Sequence, residues 1–125
     1  MARDDKYLYI RFDLAAYERT FNYNHHISLS PVEGGPVVML ISFNGGREAQ
    51  ILEYLEGKDP NTKKLGTGTI KRYGNFYEAR YSLNIIKKKI STGTNVLVQG
   101  YSTRRFSNDT IINFDTIEDI ICYFY

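Results

Sequence analysis

The period of the apolar residues constrains this chain more than any other feature. In residues 6–14, Leu8, Ile10, Phe12 and Leu14 alternate with Tyr7, Tyr9, Arg11 and Asp13. In residues 20–29, Phe21, Tyr23, His25, Ile27 and Leu29 alternate with Asn22, Asn24, His26 and Ser28. A period of two sends alternate side chains to opposite faces, so each stretch reads as a half-buried β-strand. Residues 37–43 form a continuous apolar run of strand length, the mark of a central strand buried on both faces. Pro31, Gly34-Gly35-Pro36 and Asn44-Gly45-Gly46 punctuate these stretches as turns.

The rest of the chain continues in this style. Residues 47–56 place Ala49, Ile51, Leu52 and Leu55 on one helical face, with Gly57 as a C-cap and Pro60 beyond, and predict a short helix; 50–56 also alternate as a strand would. Residues 66–83 predict a hairpin around Gly74-Asn75, with a primed turn and positive φ at Gly74. That register sets Tyr73 against Phe76, Lys71 against Glu78 and Thr69 against Arg80, and leaves Lys71, Tyr73, Phe76 and Arg80 outward together. Residues 84–90 predict a short helix, 96–101 and 103–106 one strand, 110–114 its return, and 117–124 a final apolar element. With 125 residues and 42% hydrophobic residues, the chain has material for one domain spanning 1–125. The fold class expected is mainly β, a barrel or sandwich of short antiparallel strands with one or two short helices.

Few signatures of chemistry stand out. His25 and His26 are adjacent, so regular strand geometry points them to opposite faces and they cannot share a metal. Cys122 is the sole cysteine and sits in an apolar run, which fits a structural thiol in a reducing, intracellular setting. The glycine-rich stretches at 44–47 and 66–69 match no phosphate-binding loop or dinucleotide fingerprint. No stretch approaches the length of a membrane helix, and the N-terminus lacks the apolar core of a signal peptide. The expectation is a non-enzymatic cytoplasmic protein with no cofactor and no metal.

One constellation does rise above this background. Residues 1–62 hold six Lys/Arg against nine Asp/Glu, a net −3, whereas 63–125 hold ten against five, a net +5. The basic half interleaves its cations with rings: Lys71, Arg72, Tyr73, Phe76, Arg80, then Lys87, Lys88 and Lys89, then Tyr101, Arg104, Arg105 and Phe106. Single-strand binders use this combination, because cations track phosphates and ring faces stack on unpaired bases. Tyr9 and Arg11, on the polar face of the first strand, are candidate additions. The same residue types also build protein interfaces, where Tyr and Arg are favoured as hot spots.

Residues 85–124 resemble the OB-fold single-stranded DNA-binding proteins of bacteria and their phages. The stretch that carries the resemblance is a Lys-bearing helix followed by Gly93-Thr94-Asn95-Val96-Leu97-Val98-Gln99-Gly100, then Tyr101, Arg104, Arg105 and Phe106, a polar tip at Ser107-Asn108, and a closing strand over 116–124. That family's tryptophans and acidic tail have no counterpart here. The resemblance implies an OB-like barrel in a bacterial host cell, binding single-stranded nucleic acid, with DNA the expected form, in phage or mobile-element replication or recombination. The alternative reading is a protein-binding module, such as a phage-encoded inhibitor or a virion assembly component. A protein partner or a homo-oligomer is compatible with either.

Overall fold

The computed structural model describes residues 2–13, 23–43, 46–105 and 111–124. Among these residues nine strands form one antiparallel sheet: β1 (Ala2–Arg3), β2 (Tyr7–Asp13), β3 (Tyr23–Pro31), β4 (Val37–Phe43), β5 (Glu48–Tyr54), β6 (Thr62–Tyr73), β7 (Phe76–Ser82), β8 (Thr94–Arg105) and β9 (Ile111–Phe124). One helix, α1 (Leu83–Lys87), joins β7 to β8. The strand order is β1-β2-β7-β6-β5-β4-β3-β8-β9. Strands β3 to β7 run as a meander, β2 adds beside β7, and β8 and β9 add beside β3.

The sheet curls on itself into a barrel-like half-cylinder, because its apolar side chains alternate onto one face. Ile10 of β2, Ile27 and Leu29 of β3, Val38 and Leu40 of β4, Ala49 and Ile51 of β5, Tyr77, Ala79 and Tyr81 of β7, and Val96 and Val98 of β8 fill one core. Phe12 of β2 stacks on Tyr77 of neighbouring β7 at 4.9 Å, and also on His25 of β3 at 5.2 Å. β2 and β3 stand five places apart in the sheet, so that second contact crosses the interior and measures the curl. At one end of the curl Arg3 of β1 lies over the Phe124 ring of β9, 5.9 Å from its centroid.

Two polar pairs sit inside the core and are satisfied there. His25 Nδ1 and the Tyr77 hydroxyl are 2.7 Å apart, and the Ser42 and Tyr81 hydroxyls 3.1 Å. Such pairing is what lets polar atoms be buried at little net cost. Helix α1 plugs one end of the curl with Leu83 and Ile86, both buried. Its N-cap is Ser82, whose hydroxyl accepts from Ile85 N, and Leu83 N donates to Lys6 O at 2.9 Å. The helix start is thereby tied to the residue that precedes β2.

Several expectations from the sequence are met, and some are corrected. The hairpin register is as predicted, with Tyr73 opposite Phe76, Lys71 opposite Glu78 and Thr69 opposite Arg80. Residues 47–56 are not a helix; 48–54 of them form strand β5, paired to β4 along its length and to β6 on the other side. Hydrogen bonding from both neighbours outweighs the weak helical stripe, a tertiary override of local propensity. Gly57 does adopt positive φ, +73°, but in the turn after a strand rather than at a helix end. The predicted helix over 84–90 is shorter and starts one residue earlier, as α1. From residue 111 on, the expected return strand and the final apolar element over 117–124 are one long strand, β9, and Thr110 lies outside the described residues. Cys122 is partly buried and packs against the core.

The turn at Gly74 also differs from expectation. Its loop has two residues, but Gly74 is outside the positive-φ region, and nothing lies within 4 Å of a Cβ built there. Gly74→Ala is therefore expected to be neutral or stabilising by ~0.4–1 kcal/mol, through reduced freedom of the unfolded chain. A urea titration checks this; a loss of stability would show that the turn needs glycine after all.

Candidate functional site

The outer face of β2, β7 and β6 gathers rings and cations. Inward residues on β2 are Leu8, Ile10 and Phe12, so Tyr7, Tyr9, Arg11 and Asp13 point out. On β7 the buried set is Tyr77, Ala79 and Tyr81, so Phe76, Glu78 and Arg80 share the outward face. The ladders then align three rows across the strands: Asp13, Phe76 and Tyr73; Arg11, Glu78 and Lys71; Tyr9, Arg80 and Thr69. Nothing local in the sequence pairs β2 with β7. That pairing is what adds Tyr9 and Arg11 to the hairpin's own residues.

The side chains on this face hold one another in place. Tyr73 and Phe76 stack at 4.5 Å with planes 14° apart. The Arg11 guanidinium sits 3.9 Å from the Phe76 centroid, and Lys71 Nζ lies 5.5 Å from that of Tyr73. Arg80 lies 4.2 Å over the Tyr7 ring and donates from Nε to Thr69 Oγ1 at 3.1 Å. Each cation–ring contact contributes roughly 0.5–1 kcal/mol at an exposed site. Tyr73 nevertheless remains 39% exposed, so part of its ring is open to a ligand.

Carboxylates temper the charge. Arg11 pairs with Asp13 at 2.9 Å. Glu78 stands between Arg11 and Lys71 in the ladder. Asp4, in the link between β1 and β2, accepts from Lys6 N, Tyr7 N and the Tyr9 hydroxyl, each at 2.8 Å. Those hydrogen bonds, the Lys6 amide first, hold the Asp4 carboxyl below its usual range. The Asp4 carboxylate in turn raises the Tyr9 hydroxyl above its own. Both shifts favour a fixed, charged Asp4 that anchors Tyr9 on the sheet.

The sequence-predicted residues divide by location. Tyr9, Arg11, Lys71, Tyr73, Phe76 and Arg80 come together on this face. Tyr7 joins them, outside the predicted set, although its place in the Tyr7, Tyr9, Arg11 alternation puts it on the same face. Arg72 is exposed but shares the ladder face of Tyr77, the opposite side of the hairpin. Lys87 and Lys88 are exposed on and just after α1, which leaves from the Tyr7–Ser82 end of the face. Lys89 turns to Glu53 of β5, 3.0 Å away. Arg104 and Arg105 belong to β8, but their side chains, and Phe106 entirely, lie outside the described residues.

Tyr101 is elsewhere. It lies on the outer face of β8, stacked on His26 at 4.5 Å with planes 6° apart. A groove beside it is lined by Ser28, Ser30, Tyr54, Gln99, Tyr101 and Asp119 among others, with no Lys or Arg among the described residues. His26 Nε2 is 3.1 Å from Thr103 Oγ1, while its Nδ1 is buried without a hydrogen-bond partner. Burial, with a smaller contribution from His25, pushes the His26 pKa down to about 4. The imidazole is therefore neutral at pH 7. No group of His, Cys, Asp and Glu suited to a metal ion occurs among the described residues. Nor is any described helix long and apolar enough to cross a membrane.

No protein-family model, curated protein or solved structure matches this chain.

Proposed function

We propose that the chain binds single-stranded nucleic acid without sequence preference, through the outer face of β2, β7 and β6. The observation that carries this is the stacked Tyr73–Phe76 pair with Arg11 on Phe76 and Lys71 near Tyr73. Rings held parallel at a sheet surface offer π-faces to unpaired bases, and the flanking cations meet phosphates. Every base has a π-face, so such a platform is sequence-tolerant. Replication or recombination in a phage or mobile element is the setting that the resemblance of 85–124 suggests, with DNA as the ligand.

A second reading has its own observation. Asp4, Asp13 and Glu78 stand on or beside the same face as Arg11, Lys71 and Arg80, so the patch is close to neutral. Neutral, Tyr- and Arg-rich, preorganised surfaces suit a protein partner. Variants separate the two. Under the nucleic-acid reading, Tyr73→Ala weakens binding of a fluorescent oligo-dT by ~1–3 kcal/mol, the stacking value, without changing its salt dependence. Fluorescence anisotropy measures both. An unchanged affinity in Tyr73→Ala and in Phe76→Ala, with the fold intact by circular dichroism, removes this face as the strand-binding site and leaves the protein-partner reading.

A further inference from the structure

A separate feature lies at the end of the sheet. Among the described residues the 14-residue strand β9 pairs with β8 alone. Its ladder is regular near the end, where Val98 faces Ile120, Leu97 faces Ile121 and Val96 faces Cys122. One hydrogen bond on the far side of β8 fixes the backbone direction. The Asn95 carbonyl accepts from Val32 N, just past β3, at 3.0 Å, so Asn95 turns its backbone groups towards β3. These groups alternate along a strand, so Val96 and Val98 turn theirs towards β9, to Cys122 and Ile120. Ile121 therefore points its N–H and C=O away from β8, to the open edge.

The side chains at that edge are apolar. Val96 and Val98 are core residues, so Ile120 and Cys122 stand on the core side of the sheet and Ile121 on the outer side. Even so, Ile120 is 53% exposed and Ile121 64%. Edge strands are commonly guarded by charged residues, by proline or by a covering segment. Residues 120–124 contain no charge and no proline.

We propose that this edge is a self-association surface, on which β9 of a second copy pairs antiparallel about a two-fold axis at Ile121. Outward backbone groups on an edge select a β-strand as occupant. Charge selects the strand's direction and register. Residues 106–125 hold Asp109, Asp115, Glu118 and Asp119 and no Lys or Arg. A parallel, in-register pair sets each acid beside its copy, and an antiparallel pair centred on Ile117 sets Asp115 opposite Asp119; like charges so placed are destabilising. Centred on Ile121, Asp119 meets Tyr123 and Glu118 meets Phe124, so no carboxylate faces another. The outward groups of Ile121 then exchange two hydrogen bonds with those of its copy, and the two Ile121 side chains pack together. Ile120 lies against Cys122 of the second copy. An isologous contact of this kind closes at two copies. One strand pair is small beside the ~1,600 Å² of a standard interface, so the dimer is weak. The edge stands apart from the ring-and-cation face, and pairing there does not depend on the strand-binding reading.

Sedimentation velocity of the full chain, over roughly 5 to 200 µM, should show monomer passing to dimer with no larger species. Ile121→Lys places two ammonium groups on the axis and should leave only monomer at every concentration. Ile121→Val should keep the dimer. Ile121 is exposed, so neither change opens the core, and circular dichroism checks that both variants fold. Oxidative cross-linking in a Cys122→Ser background reads the register. Ile121→Cys sets its thiol on a residue ~5.5 Å, Cα to Cα, from its copy, within disulfide reach, and should cross-link. Asp119→Cys sets its thiols on residues ~13 Å apart along the strands and should not. If the Cys122→Ser background does not fold, the sedimentation comparison still decides. A wild type that stays monomeric throughout, a dimer that survives Ile121→Lys, a species larger than a dimer, or cross-linking by Asp119→Cys and not by Ile121→Cys overturns the proposal.

Discussion

Gly46→Ala is expected to destabilise the protein by about 3 kcal/mol, a large share of the 5–15 kcal/mol that holds a domain folded. Two costs combine. Gly46 has φ of +79°, where an L-residue loses roughly 1–2 kcal/mol. A Cβ at this position would also fall 2.5 Å from the Tyr77 ring. That ring cannot step aside: it is fully buried, bonded to His25 at 2.7 Å and stacked on Phe12. Overpacking of this kind costs ~1–3 kcal/mol. Gly57→Ala is the control, because Gly57 has φ of +73° with nothing within 4 Å of its Cβ position. Urea denaturation of both variants separates backbone strain from the clash. Equal losses in the two would mean that Gly46 is not packed on Tyr77.

The second large effect is pH dependence from His26. Its unfolded pKa is ~6.5, and burial holds the folded value near about 4. Between these values the unfolded chain binds the proton and the folded chain does not. The contribution of His26 is therefore fully present above pH 6.5, falls as pH drops through this window, and is lost below about 4, on the order of 3 kcal/mol in all. Protonation would put a charge on a ring stacked on Tyr101 and leave its buried Nδ1–H without an acceptor. Denaturant midpoints at several pH values between 7 and 4.5 measure the slope, in a range where most carboxylates stay ionised. His26→Gln should flatten it. A wild-type midpoint that does not move across that range contradicts this account.

Much of the fold was legible in the pattern of the chain, for physical reasons that particular residues show. The alternation of Tyr7 to Asp13 is a local consequence of one face being wet, so it survives in the sequence. The same holds for the 66–83 hairpin, whose register follows from a two-residue loop. Strand β5 was less legible. Ala49, Ile51, Leu52 and Leu55 can share one helical face while 50–56 also alternate, and only the ladders to β4 and β6 decide between them. The candidate site was half visible for a similar reason. Lys71, Tyr73, Phe76 and Arg80 share a hairpin, so their common face could be read. Arg11 reaches Phe76 only because β2 inserts beside β7, a contact across more than sixty positions that no short-range pattern encodes. Tyr101 shows the converse, since residue type alone grouped it with a face from which the sheet separates it.

The salt dependence of single-strand binding tests the central claim most directly. Wild-type protein is titrated against fluorescent oligo-dT and against a duplex of equal length, over a series of salt concentrations. Arg11, Lys71 and Arg80 are the cations on the face. At ~0.7 per phosphate contact on a single strand, log K should fall against log salt with a slope of about −2, reaching about −3.5 if Lys87 and Lys88 also engage. The single strand should bind more tightly than the duplex, whose stacked bases offer the rings nothing. A flat salt response, equal affinity for duplex, or no binding at low salt would contradict the claim and point to a protein partner for the Tyr73–Phe76 face.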